Sequence, residues 1–181
     1  MKKIKILCLT GTRADYPRVK SVLTKIKKDK KFDFKIIVTG SHLLKKYGYS
    51  INEIYQDGFK VHKKIKIFNN DFNSLYGMTT ASARCTFGLA GALKKYKPNL
   101  VLLTVDRVET LGAAVAASLM NYPIAHIQGG EVTGTIDENI RHAVTKLSHF
   151  HFVANLDAKK RIIKLGERRD RVFDVGCPYI S

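Results

Sequence analysis

Short apolar runs alternate with longer amphipathic stretches along nearly the whole chain. Residues 4–9 (Ile-Lys-Ile-Leu-Cys-Leu) read as a first strand. Residues 16–28 read as a helix, because Val19, Val22, Leu23 and Ile26 recur at the i, i+3, i+4, i+7 spacing of one face. A second strand is predicted over 33–39, ending at Gly40. Residues 41–57 are mixed, and a helix interrupted at Gly48 is the expectation. Residues 60–67 alternate polar and apolar positions, as a half-buried strand does. A long helix follows from about Ser74 to Tyr96, closed by the turn at Pro98-Asn99.

Residues 100–105 are nearly all apolar and β-rich, the pattern of a central parallel strand. The same rhythm then repeats. Helices are predicted over 110–120, 137–147 and 157–165, and strands over 124–127, 150–154 and 171–175. Six or seven strands with intervening helices predict an α/β fold, a Rossmann-like, doubly wound parallel sheet with right-handed crossovers. No internal repeat or linker divides the sequence, so residues 1–181 are expected to form a single domain, a size that can bury a core without staples.

Composition narrows the class. The hydrophobic fraction of 45% is that of a globular protein, and no apolar run approaches membrane-spanning length. The amino terminus looks partly like a signal peptide. Its apolar part is too short and no small-residue cleavage site precedes Arg13, so a strand in a cytoplasmic protein is expected. Cys8, Cys85 and Cys177 are odd in number and far apart, which argues against a disulfide framework or zinc site. Cys8 fits a buried strand position. The net charge of +17, from 32 basic against 15 acidic residues, fits an anionic partner or a lysine-rich solvated surface. The basic clusters are scattered and lack interleaved aromatics, so a nucleic-acid platform is the weaker reading.

Candidate chemistry gathers where strands end. Gly11-Thr12-Arg13 follows the first strand and precedes a helix, where a phosphate would meet backbone N–H groups; a tight turn with a solvent-facing arginine explains it equally well. The dinucleotide Gly-x-Gly-x-x-Gly and the Gly-Lys-Ser phosphate loop are both absent, so no NAD or ATP cofactor is expected. Asp106-Arg107 ends the central strand, suited to acid–base work or to capping the next helix. His42 could touch substrate or close a turn, and His126 reads as a core histidine. His142, His149 and His151 lack metal-ligand spacing, so no catalytic metal is predicted. No Gly-x-Ser-x-Gly elbow points to a serine hydrolase.

The densest segment is AHIQGGEVTGTIDENIRHAVTKLSH over 125–149: a strand, a glycine turn, then a helix opened by Asp137. It crowds Gln128, Glu131, Asp137, Glu138, Arg141 and His142 at a strand's carboxyl end, where open α/β sheets bind ligands.

Taken in order, Gly11-Thr-Arg-Ala-Asp-Tyr, Gly40-Ser-His-Leu-Leu, Tyr47-Gly, Asp106-Arg, residues 129–146 and Val175-Gly-Cys-Pro resemble the amino-terminal half of UDP-N-acetylglucosamine 2-epimerases, above all the hydrolysing, sialic-acid-pathway branch. The resemblance spans residues 4–178. It implies a two-domain, glycosyltransferase-B-like architecture with the active site between two Rossmann-like domains, of which this chain supplies the first. A UDP-sugar substrate and a separate carboxyl-terminal domain are implied, and a homo-oligomer is allowed for. The implied reaction eliminates UDP to a glucal and adds water to give N-acetylmannosamine, without a cofactor. By motif position Asp106 and Asp137 match the catalytic carboxylates. Arg13, His42, Arg107 and Arg141 match substrate-side positions, and Glu131, Gln128, Glu138 and His142 join the candidate set.

Two departures stand out. The family carries His-Gly before the aspartate, where this chain has Thr104-Val105. It often carries Glu where this chain has Gln128, and an amide cannot act as a general base. A non-catalytic half-enzyme that binds nucleotide sugars is therefore a second reading, and a basic nucleic-acid-binding module a third.

Overall fold

The computed structural model describes residues 2–69 and 74–178. Seven strands form one sheet in the order β3-β2-β1-β4-β5-β6-β7. They are β1 (Ile4–Thr10), β2 (Phe32–Val38), β3 (Val61–Lys64), β4 (Leu100–Thr104), β5 (Ile124–Ile127), β6 (Phe150–Val153) and β7 (Val172–Asp174). Every neighbouring pair is parallel. The helices are α1 (Tyr16–Lys28), α2 (Ile51–Gln56), α3 (Leu75–Tyr96), α4 (Val108–Leu119), α5 (Ile136–Leu147) and α6 (Leu156–Lys164). The winding reverses between β1 and β4, the doubly wound arrangement expected from the sequence.

Strand alternation sends side chains to two cores. Leu7, Leu9, Ile37, Val101, Leu103 and Ile124 pack under α3, α4 and α5. Ile6, Cys8, Ile36, Val38, Leu102 and Ala125 pack under α1 and α2. Cys8 is fully buried in that second core. The alanines of α4 let it approach α3 closely. A Cβ on Gly112 would lie 2.3 Å from the Ser82 carbonyl oxygen on α3, a backbone atom that cannot step aside. Gly112→Ala should therefore destabilise the chain by about 2 kcal/mol or more, through overpacking. Urea denaturation should show a lower midpoint, and an unchanged midpoint would refute this helix contact.

Some element boundaries differ from the sequence reading. The 60–67 strand shrinks to Val61–Lys64, because the last backbone bond to β2 is that of Ile65 N–H to the Val38 carbonyl at 2.8 Å, while Ile65 and Ile67 still enter the core. Residues 41–57 become two 3-10 turns and the short α2, broken at Gly48 with φ +77°. The helix expected to open at Asp137 starts one residue earlier, with Thr135 at its N-cap. The helices expected over 110–120 and 157–165 begin at Val108 and Leu156. Among the described residues, no helix is long and apolar enough to cross a membrane.

Candidate functional site

Where the winding reverses, the loops leaving β1 and β4 turn to opposite faces and leave a crevice at the sheet's carboxyl edge. A cavity of about 1050 Å³ occupies it. Its wall takes Thr12, Arg13, Asp15 and Arg18 from the β1 side and Ser41, Gly48 and Ser50 from beyond β2. Asp106 and Arg107 come from β4, and Gln128, Glu131, Asp137 and Arg141 from beyond β5. The first turns of α1, α4 and α5 all start from this wall, so three positive helix ends converge on one space.

Asp106 and Arg141 form an ion pair, with side chains 14% and 4% exposed. Arg141 also donates to the Glu131 carbonyl oxygen at 2.6 Å. The guanidinium thus ties the loop after β5 to the carboxylate after β4 and fixes which way Asp106 faces. Arg13 is largely exposed and pairs with Glu53 at 2.5 Å, while Arg107 lies exposed on the opposite wall. Val105, just before Asp106, sits at φ +58°, a region that β-branched residues avoid. Its carbonyl accepts from His126 Nε2 at 2.8 Å. His126 is buried, as a core histidine should be, and burial lowers its pKa to about 4.

Gln128 is also left-handed, at φ +61°, and only 4% exposed. Its side-chain amide donates to Cys177 Sγ at 2.9 Å, joining the cavity wall to the segment beyond β7.

Three sequence candidates do not reach the cavity wall. His42 is fully buried. Its ring lies between Thr10 Oγ1, at 3.0 Å from Nε2, and Ser50 Oγ, at 2.7 Å from Nδ1. Burial first, and Arg13 second, lower its pKa to about 4, so it is neutral, and Asp15, 3.9 Å away, and Ser50 are its neighbours on the cavity wall. Glu138 turns back to accept from the N–H groups of Thr133 and Gly134, both at 2.8 Å, and so braces the loop. His142 sits 3.9 Å from Glu138, one turn along α5. A sequence places residues on a helix but not the direction of each side chain.

Two buried carboxylates escaped the sequence reading. Asp15 gathers four donors from its own turn: the N–H groups of Gly11 and Thr12 and the hydroxyls of Thr10 and Thr12. Burial still pushes its pKa upward. Its position four residues after Gly11 was the available signal. Glu109, in the first turn of α4, is 1% exposed, and neither carboxylate oxygen has a hydrogen-bond partner among the described residues. It presses so closely beneath Gly11 that a Cβ there would lie 2.4 Å from Oε1. Burial lifts its pKa from the usual 4.5 to about 7.

A raised folded pKa means that the folded state holds this proton longer than the unfolded chain. Stability contributed by the protonated acid is full below about pH 4.5 and is lost as pH rises through about 7. At 1.36 kcal/mol per unit, the loss is about 3 kcal/mol. Glu109→Gln should remove this slope and make the variant more stable than the parent at pH 8. Parallel pH–stability curves for the two proteins would contradict it. Among the described residues, no group of His, Cys, Asp and Glu is placed to hold a metal ion.

A family model for UDP-N-acetylglucosamine 2-epimerase matches residues 24–181. The chain belongs to the UDP-N-acetylglucosamine 2-epimerase family. It is 42% identical over 179 residues to the UDP-N,N'-diacetylbacillosamine 2-epimerase (hydrolyzing) of Legionella pneumophila, covering 98% of this chain and 47% of that protein. It is 39% identical over 180 residues to the GDP/UDP-N,N'-diacetylbacillosamine 2-epimerase (hydrolyzing) of Campylobacter jejuni, covering 97% and 46%. The chain thus spans about half the length of the curated relatives it matches. Its fold matches a crystal structure of the Neisseria meningitidis UDP-GlcNAc 2-epimerase bound to UDP-GlcNAc, with TM-score 0.86 and 22% identity over 98% of this chain and 48% of that one.

Proposed function

We propose that this chain is the amino-terminal half of a hydrolysing 2-epimerase that acts on a UDP-linked 2-acetamido sugar, with UDP-N-acetylglucosamine as reference substrate. The observation that carries the reading is the carboxylate pair of the cavity: Asp106, oriented by Arg141, and Asp137 in the first turn of α5. The C2 proton of the sugar is not acidic by itself. Its removal must accompany cleavage of the C1–O bond to UDP, with positive charge building on the ring. Carboxylates suit both tasks, stabilising that charge and moving protons. Elimination gives UDP and a glucal. Water then adds its oxygen to C1 and a proton returns to C2 from the other face, yielding the 2-epimeric free sugar.

In this scheme Asp106 and Asp137 move protons, and Glu131 assists at the cavity wall. Arg13 and Arg107 meet the diphosphate alongside the converging helix ends. Gln128 contributes a hydrogen bond but no base. No protein group in the scheme requires a bound cofactor or metal. The alternative of a non-catalytic, sugar-nucleotide-binding half-enzyme draws its support from Gln128, whose amide is already engaged with Cys177.

The test compares the chain alone with the chain fused to the carboxyl-terminal half of the Legionella relative. UDP-N-acetylglucosamine and UDP-N,N'-diacetylbacillosamine are supplied separately. Residues 1–181 alone should show negligible turnover, because a cleft left open neither positions UDP nor excludes water. The fusion should release UDP and the free 2-epimeric sugar at ordinary enzyme rates, on the order of 1 s⁻¹ or more. A folded fusion that binds UDP without releasing product would select the half-enzyme reading.

A further inference from the structure

The charge of this chain has a location. The parallel sheet carries its cavity at the carboxyl edge of the strands and turns its amino edge the other way. Along that amino edge the connecting loops line up in strand order. Residues 28–31 precede β2, residues 2–3 precede β1 and residues 94–97 precede β4. The backbone fixes their adjacency: Ile4 N–H donates to the Lys31 carbonyl at 2.8 Å, and Asn99 N–H to the Lys5 carbonyl at 2.8 Å. With strands spaced by about 4.8 Å, these loops fall within roughly 15 Å of one another. Every lysine in them is exposed, and Asp29 is their single carboxylate. Among the described residues, no carboxylate forms an ion pair with any of these lysines.

An apolar tip stands beside them. Leu119 is 81% exposed and Met120 36% exposed at the end of α4. Tyr122 Oη donates to the Leu93 carbonyl at 3.3 Å, holding this tip against the last turn of α3, which carries Lys94 and Lys95. Exposed lysines around an apolar projection match an anionic bilayer. The cations meet headgroup phosphates while leucine and methionine enter the acyl boundary. A nucleic acid would use the lysines but give the apolar tip no stacking partner.

We infer that the amino edge of the sheet, residues 2–3, 28–31 and 94–97 with Leu119 and Met120, docks the protein on anionic lipid surfaces with its cavity facing away from the membrane. The geometry leaves the cavity open to a second domain while the protein sits on lipid. This inference is independent of the proposed reaction, because partitioning is read without any sugar nucleotide.

The experiment is co-sedimentation of the full chain with vesicles. One set is phosphatidylcholine alone, and the other contains phosphatidylglycerol at about one lipid in three, at low and high salt. Binding is expected only with phosphatidylglycerol and should fade at high salt, as screening shortens the reach of exposed charges. Each lysine near the surface contributes about fivefold, so Lys94→Gln/Lys95→Gln/Lys97→Gln should weaken partitioning about 100-fold. Leu119→Ser should weaken it about tenfold. Removing equal charge at the cavity end, with Lys45→Gln/Lys46→Gln/Lys66→Gln, should cost little. No binding to phosphatidylglycerol vesicles, or equal loss from the two triple variants, would overturn the inference. So would duplex DNA that competes fully while Leu119→Ser changes nothing, which would make the edge a polyanion site instead.

Discussion

Asp106→Asn, in the fusion with the carboxyl-terminal half of the Legionella relative, should lower kcat by about 100- to 10,000-fold, the range carried by a positioned acid–base group. KM should move much less. The charge and basicity lost with Asp106 act mainly when positive charge develops on the sugar ring, so the variant loses transition-state stabilisation more than binding. Asparagine keeps the carboxylate's shape and can still accept from Arg141. A collapse of the cavity is therefore not the expected cause, and circular dichroism of the variant should superimpose on the parent. Gln128→Glu, made beside it, should raise kcat by placing a carboxylate where an amide now sits. Steady-state kinetics decides both. Full activity in Asp106→Asn removes Asp106 from the mechanism. A silent Gln128→Glu would mean that Glu131 already serves that wall.

Arg141→Met should destabilise the isolated chain by about 3 kcal/mol, the low end of what breaking a buried ion pair costs. The guanidinium is 4% exposed and is the partner of Asp106, which is itself only 14% exposed. Without it, a carboxylate remains in a largely desolvated place. The Glu131 carbonyl also loses its donor. For a domain of this size the loss corresponds to a fall in Tm of roughly 10 °C. The double variant Asp106→Leu/Arg141→Met should recover much of the loss, because no unpaired charge is left behind. Urea denaturation of the parent, Asp106→Leu, Arg141→Met and the double variant closes the cycle. Additive losses would mean that the two groups do not stabilise one another.

The sequence by itself determined the architecture. Short apolar runs, with alternation only at 60–67, placed all seven strands, because a parallel strand covered on both faces is apolar throughout, and period-3.6 patterns placed most helices. It also determined that the polar groups gather at strand carboxyl ends. A parallel sheet leaves those ends all on one side, so Arg13, Asp106, Gln128, Asp137 and Arg141 reach one cavity. Its boundaries failed where local and tertiary demands part. Residues 65–67 keep a strand's burial pattern past the end of β3, and residues 41–57 turn three ways around Gly48.

Only the tertiary structure decided which polar groups face the cavity and which support it. His42 and Glu138 both read like substrate-binding groups, yet His42 lies beneath the floor and Glu138 braces a loop. Glu109 reads like an ordinary first-turn acid of a helix and is sealed beneath Gly11 without a partner. Asp106 and Arg141 are separated by 35 residues, and nothing in their spacing announces the pair. The physical reason lies in what periodicity leaves open. Periodicity fixes the face from which a side chain leaves the backbone. Its burial and its partner are fixed by the path of its own loop, as for Glu138, or by groups from other strands and helices, which meet only when the sheet has wound in both directions.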